Sequence, residues 1–220
     1  MIPGIRLVLL GKQGAGKGTQ ALKLSRHYHV PHISTGDMFR TEARSGSDLG
    51  RELKGYMDAG ELVPDDVVIR VVEKQLSTGA ARARGFILDG FPRTQLQAKA
   101  LEEVLAPFGG LDAVVSLEVS TEMVVKRLAA RRVCPKCGAN YNVDELPEAN
   151  ICENCGDEVV QRDDDTPDAI RRRLALYEEQ TAPLIEFYRD RDLLEEVDGV
   201  GDPQEILDRT VRALDARSRS

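Results

Sequence analysis

The sequence predicts an α/β fold built on a parallel sheet, and three observations predict it. The apolar run Ile5-Arg-Leu-Val-Leu-Leu10 leads straight into the glycine-rich turn Gly11-Lys-Gln-Gly-Ala-Gly-Lys-Gly-Thr19. Further short apolar runs alternate with longer segments of helical period, the order that gives a parallel sheet covered on both faces. At 220 residues the chain can bury one domain core and still carry insertions.

In order along the chain, strands are expected at residues 7–10, 32–34, 85–89, 113–118 and 193–197. Helices are expected at 17–28, 94–106, 121–131, 167–189 and 203–216. Ser120 stands ready to cap the helix that begins at Thr121, and Pro167 and Pro203 take first-turn positions after Thr166 and Asp202. Two stretches break the alternation. Residues 35–64 read as short helices between turns at Gly46, Gly50, Gly55 and Gly60, and residues 132–165 hold all four cysteines with little helical period. Both read as insertions able to move as lids.

The glycine-rich turn carries the first chemistry. A strand before it and a helix after it make such a run a phosphate cradle rather than a flexible loop. Gly14, Ala15, Gly16, Lys17, Gly18 and Thr19 would present backbone N–H groups and the positive end of a helix to an anion, with Lys17 adding a mobile charge for the β- and γ-phosphates of a nucleoside triphosphate. Gly18 stands where Ser or Thr usually meets magnesium, and Thr19 comes one place later, which points to small-molecule kinases rather than GTPase switches.

The cysteines carry the second. Cys134-Pro-Lys-Cys137-Gly and Cys152-Glu-Asn-Cys155-Gly are two C-x-x-C knuckles separated by 14 residues. Four thiolates close a tetrahedral zinc shell with no water position, so the zinc would be structural. Disulfides and a redox C-x-x-C fit less well in a chain read as cytoplasmic; iron satisfies the same spacing. His27, His29 and His32 crowd one region without a ligand pattern and read as structural.

Composition narrows the partners. A formal charge of −7 with 5% aromatic residues and no tryptophan argues against a nucleic-acid module. The chain has no apolar stretch of about 18 residues, and Met1-Ile-Pro-Gly-Ile lacks the features of a secretory leader. A cytoplasmic protein with no membrane partner is expected.

The loop Gly11–Thr19, the segment Ser34-Thr-Gly-Asp-Met-Phe-Arg40 and the segment Leu88-Asp-Gly-Phe-Pro-Arg-Thr94 together resemble the adenylate kinase family, in its long bacterial form with a four-cysteine zinc-binding lid. The resemblance spans essentially the whole chain. It implies a P-loop nucleoside monophosphate kinase fold: a central five-stranded parallel sheet flanked by helices, with two inserted mobile lids. The core would comprise residues 1–34, 65–131 and 166–220, the monophosphate-binding insertion 35–64 and the zinc lid 132–165. The implied reaction is ATP + AMP to two ADP with magnesium, in a monomer.

Phosphoryl transfer needs positioned charge rather than a general base. By resemblance, Lys17, Arg93, Arg127, Arg162 and Arg173 engage phosphates and Asp89 lies near magnesium through water. Arg127 and Arg131 are spaced i, i+4 and are expected on one helix face, both reaching the phosphates. Arg162 and Arg173 would swing in as the second lid closes. Arg132, Arg171 and Arg172 read as solvated. The acceptor nucleotide would meet Thr35, Arg40, the backbone of Glu61-Leu62-Val63, Gly90, Phe91, Pro92, Arg93, Arg162 and Arg173, with Gln97 reading adenine because its amide both donates and accepts. Asn140-Tyr141 and Gly201 would cover the base of ATP. Asp37 and Met38 acquire no role. Lys12-Gln13 departs from the pattern, since similar kinases usually carry a small residue and proline there. The nearest rival is a kinase of another nucleoside monophosphate; the distant one is a zinc ribbon joined to a motor, which would bind single-stranded RNA.

Overall fold

The computed structural model describes residues 4–77, 79–146, 150–162 and 164–217. The opening three residues, read above as no leader, and Asp163 of the Arg162–Asp165 segment lie outside them. Five parallel strands form the central sheet: β1 (Ile5–Leu10), β2 (His32–Ser34), β3 (Gly85–Asp89), β4 (Ala113–Glu118) and β7 (Leu194–Asp198). Their order is β2-β3-β1-β4-β7, with Leu7 beside Ile87 on one side and Ala113 on the other.

Apolar runs form these strands because both faces are covered, leaving no solvent side for polar residues. Val8, Leu10, Phe86, Leu88 and Val114 belong to one buried cluster, while Leu7, Leu9, Ile87, Val115 and Leu117 belong to the other. Alternation along a strand sends successive side chains to opposite faces. The second face is covered by α1 (Lys17–Tyr28), α7 (Thr121–Ala130) and α10 (Pro203–Arg217). The first is covered by α2 (Thr35–Ala43), α3 (Asp48–Ala59), α4 (Asp65–Leu76), α6 (Gln95–Leu105) and α9 (Pro183–Arg189). The short α5 (Gly79–Arg84) leads into β3. Each large side chain fully buried this way contributes about 1.5–3 kcal/mol.

Several elements differ from expectation, the unforeseen α5 among them. Helix α4 was not foreseen: Val68, Val72 and Leu76 are its buried stripe at i, i+4, i+8. The helix expected over 167–189 is interrupted. It forms α8 (Pro167–Leu176), a π-turn (Tyr177–Thr181) and α9, because Pro183 has no N–H to continue the ladder; Ala182 N donates instead to Tyr177 O at 2.8 Å, five residues back. Finally, α7 stops at Ala130, and Arg131 is extended (φ −68°, ψ 135°). It opens β5 (Arg131–Val133), which pairs antiparallel with β6 (Asn140–Asn142).

Candidate functional site

The phosphate loop and the acceptor residues gather at the carboxyl ends of adjacent strands β1 and β3, from which the chain departs to opposite faces of the sheet, into α1 and α6 respectively. The loop after β1 turns at Gly11, Gly14 and Gly16, with φ of 131°, 85° and 102°, a region open to glycine. Gly16 is the N-cap of α1 and no side chain caps the helix. The first-turn amides, with Gly18 and Thr19 among them, are thus left for an anion. A Cβ at Gly14 would lie 2.9 Å from Leu128 Cγ and 3.0 Å from Val124 O, so the loop is seated hard on α7.

Lys17 Nζ donates to the carbonyls of Gly11 (2.7 Å) and Lys12 (2.9 Å), inside the loop it serves. Burial pushes its ammonium down to about 8; Asp89 opposes the shift, and Arg93 and Arg131 add to it. Asp89, at the end of β3, faces the same place: its Oδ2 would be 3.4 Å from a Cβ on Gly18 and lies 3.8 Å from His32 Nε2. Burial pushes the Asp89 carboxyl up, yet His32, Lys17 and Arg93 hold it below its ordinary value. His32, expected to be merely structural, is therefore a neighbour of the site carboxylate.

Arg127 reaches the loop from α7, donating to Ala15 O (3.3 Å) and Gly199 O (3.1 Å). Arg131 does not share its helix face, because its backbone has already left the helix. It makes a two-pronged pair with Asp165 at 2.8 and 2.6 Å. Arg173 donates to Asp164 Oδ2 (2.5 Å), Asp164 O (3.0 Å) and Met57 O (3.2 Å). Arg162 donates to Asn140 Oδ1 at 3.1 Å, and its buried Nε has no partner among the described residues. Burial, with Arg131 and Arg40 nearby, pushes Arg162 down to about 10. Burial lowers Arg93 as well, and Arg173 adds to it. Asp164 and Asp165, both buried, were missed by sequence reasoning. The Arg-Asp-Asp-Asp run was visible, but which cations it would neutralise was not. Asp37 likewise acquires a place, paired with Arg40. Even with these carboxylates the cleft keeps a surplus of cations, the field an anion needs.

Beside the loop lies an open cavity lined by Gln13, Thr35, Arg40, Glu61, Leu62, Val63, Gly90, Arg93, Gln97 and Arg173, among others. The expected acceptor residues thus converge, except Arg162, which does not line the cavity, Phe91, which packs in the apolar core, and Pro92, which is buried without lining the cavity. Gln97 is held at both ends of its amide: Oε1 accepts from Arg93 N (2.8 Å) and Nε2 donates to Asp65 Oδ1 (2.7 Å). Asp65 is a further residue the sequence did not single out. The structure places Gly201 (φ 120°) away from this cavity, against Arg209 and Glu205.

The cysteine segment repeats one local geometry twice. Gly138 N donates to Cys134 O (2.9 Å) and Gly156 N to Cys152 O (2.8 Å), each glycine at φ near 75° (75° and 73°). The four Sγ atoms lie within 4.8 Å of one another, Cys134–Cys155 at 3.4 Å and Cys137–Cys152 at 3.5 Å. Tetrahedral ligands at a zinc–sulfur distance of about 2.3 Å are separated by about 3.8 Å, so the donor set fits zinc. Tyr141 Oη lies 3.2 Å from Cys152 Sγ and accepts from Glu153 N (3.2 Å), which commits its hydroxyl to the cluster. Arg44 donates to the Pro135 carbonyl, so residues 35–64 touch this segment.

A loop for one phosphate chain and a cavity for a second phosphate, meeting across a wall of arginines, are what a nucleoside monophosphate kinase requires, and this chain is a phosphotransferase of that class. A family model described as adenylate kinase matches residues 9–193. The chain is 44% identical over 218 residues to the adenylate kinase of Thermoanaerobacter sp. (strain X514), covering 98% of this chain and 100% of that one. It is 46% identical over 214 residues to that of Methanococcoides burtonii (96% and 99% covered) and 50% identical over 198 residues to that of Moorella thermoacetica (89% and 91%). The chain belongs to the adenylate kinase family. Among the described residues, no helix is long and apolar enough to cross a membrane.

Proposed function

We propose that the protein transfers the γ-phosphoryl group of ATP to AMP, reversibly, giving two ADP. The observation that carries this reading is the shared wall: Gln13 of the phosphate loop and Arg93 line the acceptor cavity, and Arg93 lies close enough to depress Lys17. An AMP phosphate oxygen forms the new bond to the γ-phosphorus as the β–γ bridging oxygen leaves with ADP. Lys17 and the α1 amides hold the donor phosphates, while Arg40, Arg93 and Arg173 hold the acceptor. Arg127, Arg131 and Arg162 complete the cationic shell in which equatorial charge is stabilised. Each arginine now bound to a carbonyl or carboxylate exchanges that partner for phosphate. Gln97, fixed by Asp65 and Arg93, presents its remaining donor and acceptor valences to adenine, beside Glu61–Val63. The ring of Tyr141, Asn140 and Gly201 are assigned to the donor base by resemblance.

Two groups absent from the structure suit its residues. Magnesium fits beside Asp89, which stays ionised at the loop and would hold the ion through water; bound there it neutralises phosphate charge. Zinc fits the Cys134, Cys137, Cys152 and Cys155 cluster and would order the segment around it. We assign residues 35–64 and 132–165 as lids that close over a core of residues 1–34, 65–131 and 166–220, excluding water from the transfer. A cytoplasmic monomer without nucleic-acid or membrane partners completes the proposal.

Phosphorus NMR with magnesium-ATP and AMP, GMP, CMP or UMP in turn tests it. Rapid ADP formation with AMP alone is expected. Turnover with another monophosphate instead would move the substrate and implicate Gln97 and Glu61–Val63; no transfer with any would overturn the reading.

A further inference from the structure

We infer that Gln13 is a substrate-binding residue whose amide donates a hydrogen bond to the phosphate of the acceptor nucleotide; the inference rests on the phosphoryl-transfer reading above. Lys12 and Gln13 lie inside the phosphate loop, and the reaction as described assigns neither a contact with a phosphate. The structure gives them different surroundings. Lys12 points away from the cavity: its Nζ donates to Thr121 Oγ1 at 3.0 Å and pairs with Glu178 Oε1 at 3.2 Å, on the π-turn. Its carbonyl accepts from Lys17 Nζ (2.9 Å) and Ala15 N (3.1 Å). On the other side Gly14 is wedged against α7. Gln13 is therefore flanked by two pinned residues. Gln13 lines the acceptor cavity with Thr35, Arg40, Gly90, Arg93 and Arg173, and its amide has no hydrogen-bond partner among the described residues.

The loop holds the donor phosphates and the cavity receives the acceptor phosphate, so a loop residue that also lines the cavity stands between the two phosphoryl groups. A primary amide suits that place. It supplies two N–H donors without adding another positive charge to a cleft already crowded with guanidinium groups. A carboxylate of the same size would face the phosphates as a like charge. Lys12, tied to Thr121 and Glu178, acts as the positioning residue that keeps the loop turned this way.

Steady-state kinetics and calorimetric titration of AMP into the full chain, zinc-loaded, for Gln13→Ala, Gln13→Asn and Gln13→Glu, test the assignment. A hydrogen bond to a charged phosphate is worth about tenfold or more in affinity. Gln13→Ala is expected to weaken AMP binding and kcat/KM for AMP about tenfold, with the KM for ATP within about twofold of the parent. Gln13→Asn should recover part of the loss, and Gln13→Glu, the same size as the parent residue, should lose more than Gln13→Ala. AMP affinities within about twofold of the parent for all three would overturn the inference, as would equal losses towards AMP and ATP, the mark of a distorted loop. Calorimetry needs no turnover, so failure of the kinase reading and failure of the Gln13 assignment give separate results.

Discussion

The phosphate loop at residues 11–19 rests on β1 and α7, with Leu7 to Leu10 buried beneath it and no room for a Cβ between Gly14 and Leu128, whereas the cysteine segment at residues 132–165 has a small apolar cluster of its own, whose buried members among the described residues are Cys134, Cys152 and Val159. One loop is shaped by the apolar sheet it leaves. The other has too few apolar groups to shape itself, and its two glycine-turned knuckles aim thiolates at a common centre instead. The comparison separates two sources of order in one chain: burial, which metal removal should not touch, and ligation, which it should abolish.

The largest effect expected on the burial-held side is chemical. Lys17→Met keeps the length and apolar character of a buried side chain but removes the charge, and turnover should fall roughly a thousandfold. The melting temperature of the core should stay put or rise, since a buried, partly desolvated ammonium is lost. Near-normal turnover would break the assignment of this loop to phosphoryl transfer. On the ligation-held side, Cys134→Ala or treatment with a strong chelator should remove one equivalent of zinc. Trypsin cleavage within residues 131–162 should then speed up by about tenfold or more, a local opening change of about 1.4 kcal/mol. The core transition should be little changed. Unchanged zinc content and unchanged cleavage would show that the segment is held by its hairpin, β5 and β6, and not by metal.

How far these two regions were legible in the sequence follows from the same distinction. The sheet and α1 could be read off because buried parallel strands are continuous apolar runs, and the loop motif fixes what lies on either side. Knuckle spacing is a local property too, so the thiolate cluster was legible without any fold. Features that need two distant segments were not. Arg131 looked like the next turn of a helix after Arg127, but pairing with Asn142 and Asp165 draws it out. Asp164 and Asp165 drew no assignment from the sequence, yet burial against Arg173 and Arg131 makes them the counter-ions of the cleft. Asp65 sits 32 residues from the Gln97 amide it holds. Helix α4 was missed because Val67-Val68 and Val71-Val72 are β-branched pairs with weak helical preference, although their spacing of four is helical. The break at the π-turn had a local signal in Pro183, which the long amphipathic stretch around it obscured.

The smallest expected effect is a titration, and it sharpens the account of burial as the force shaping the loop. Burial holds the Lys17 ammonium at about 8 in the free protein, below the ordinary lysine value. Between pH 7 and pH 9 its protonated fraction should then fall from about nine-tenths to about one-tenth. Donor phosphates bind the protonated form, so kcat/KM for ATP should fall about tenfold across that interval, while ATP itself keeps its full charge. Bound phosphate raises the lysine again, so kcat at saturating ATP should stay nearly flat, because a pH profile of kcat/KM reports the free protein and one of kcat reports the complex. A flat kcat/KM to pH 9 would mean that Lys17 keeps the proton affinity of a solvated lysine. Water would then reach the loop in the free protein, and its shape would owe less to the apolar sheet beneath it than to the ligand it binds.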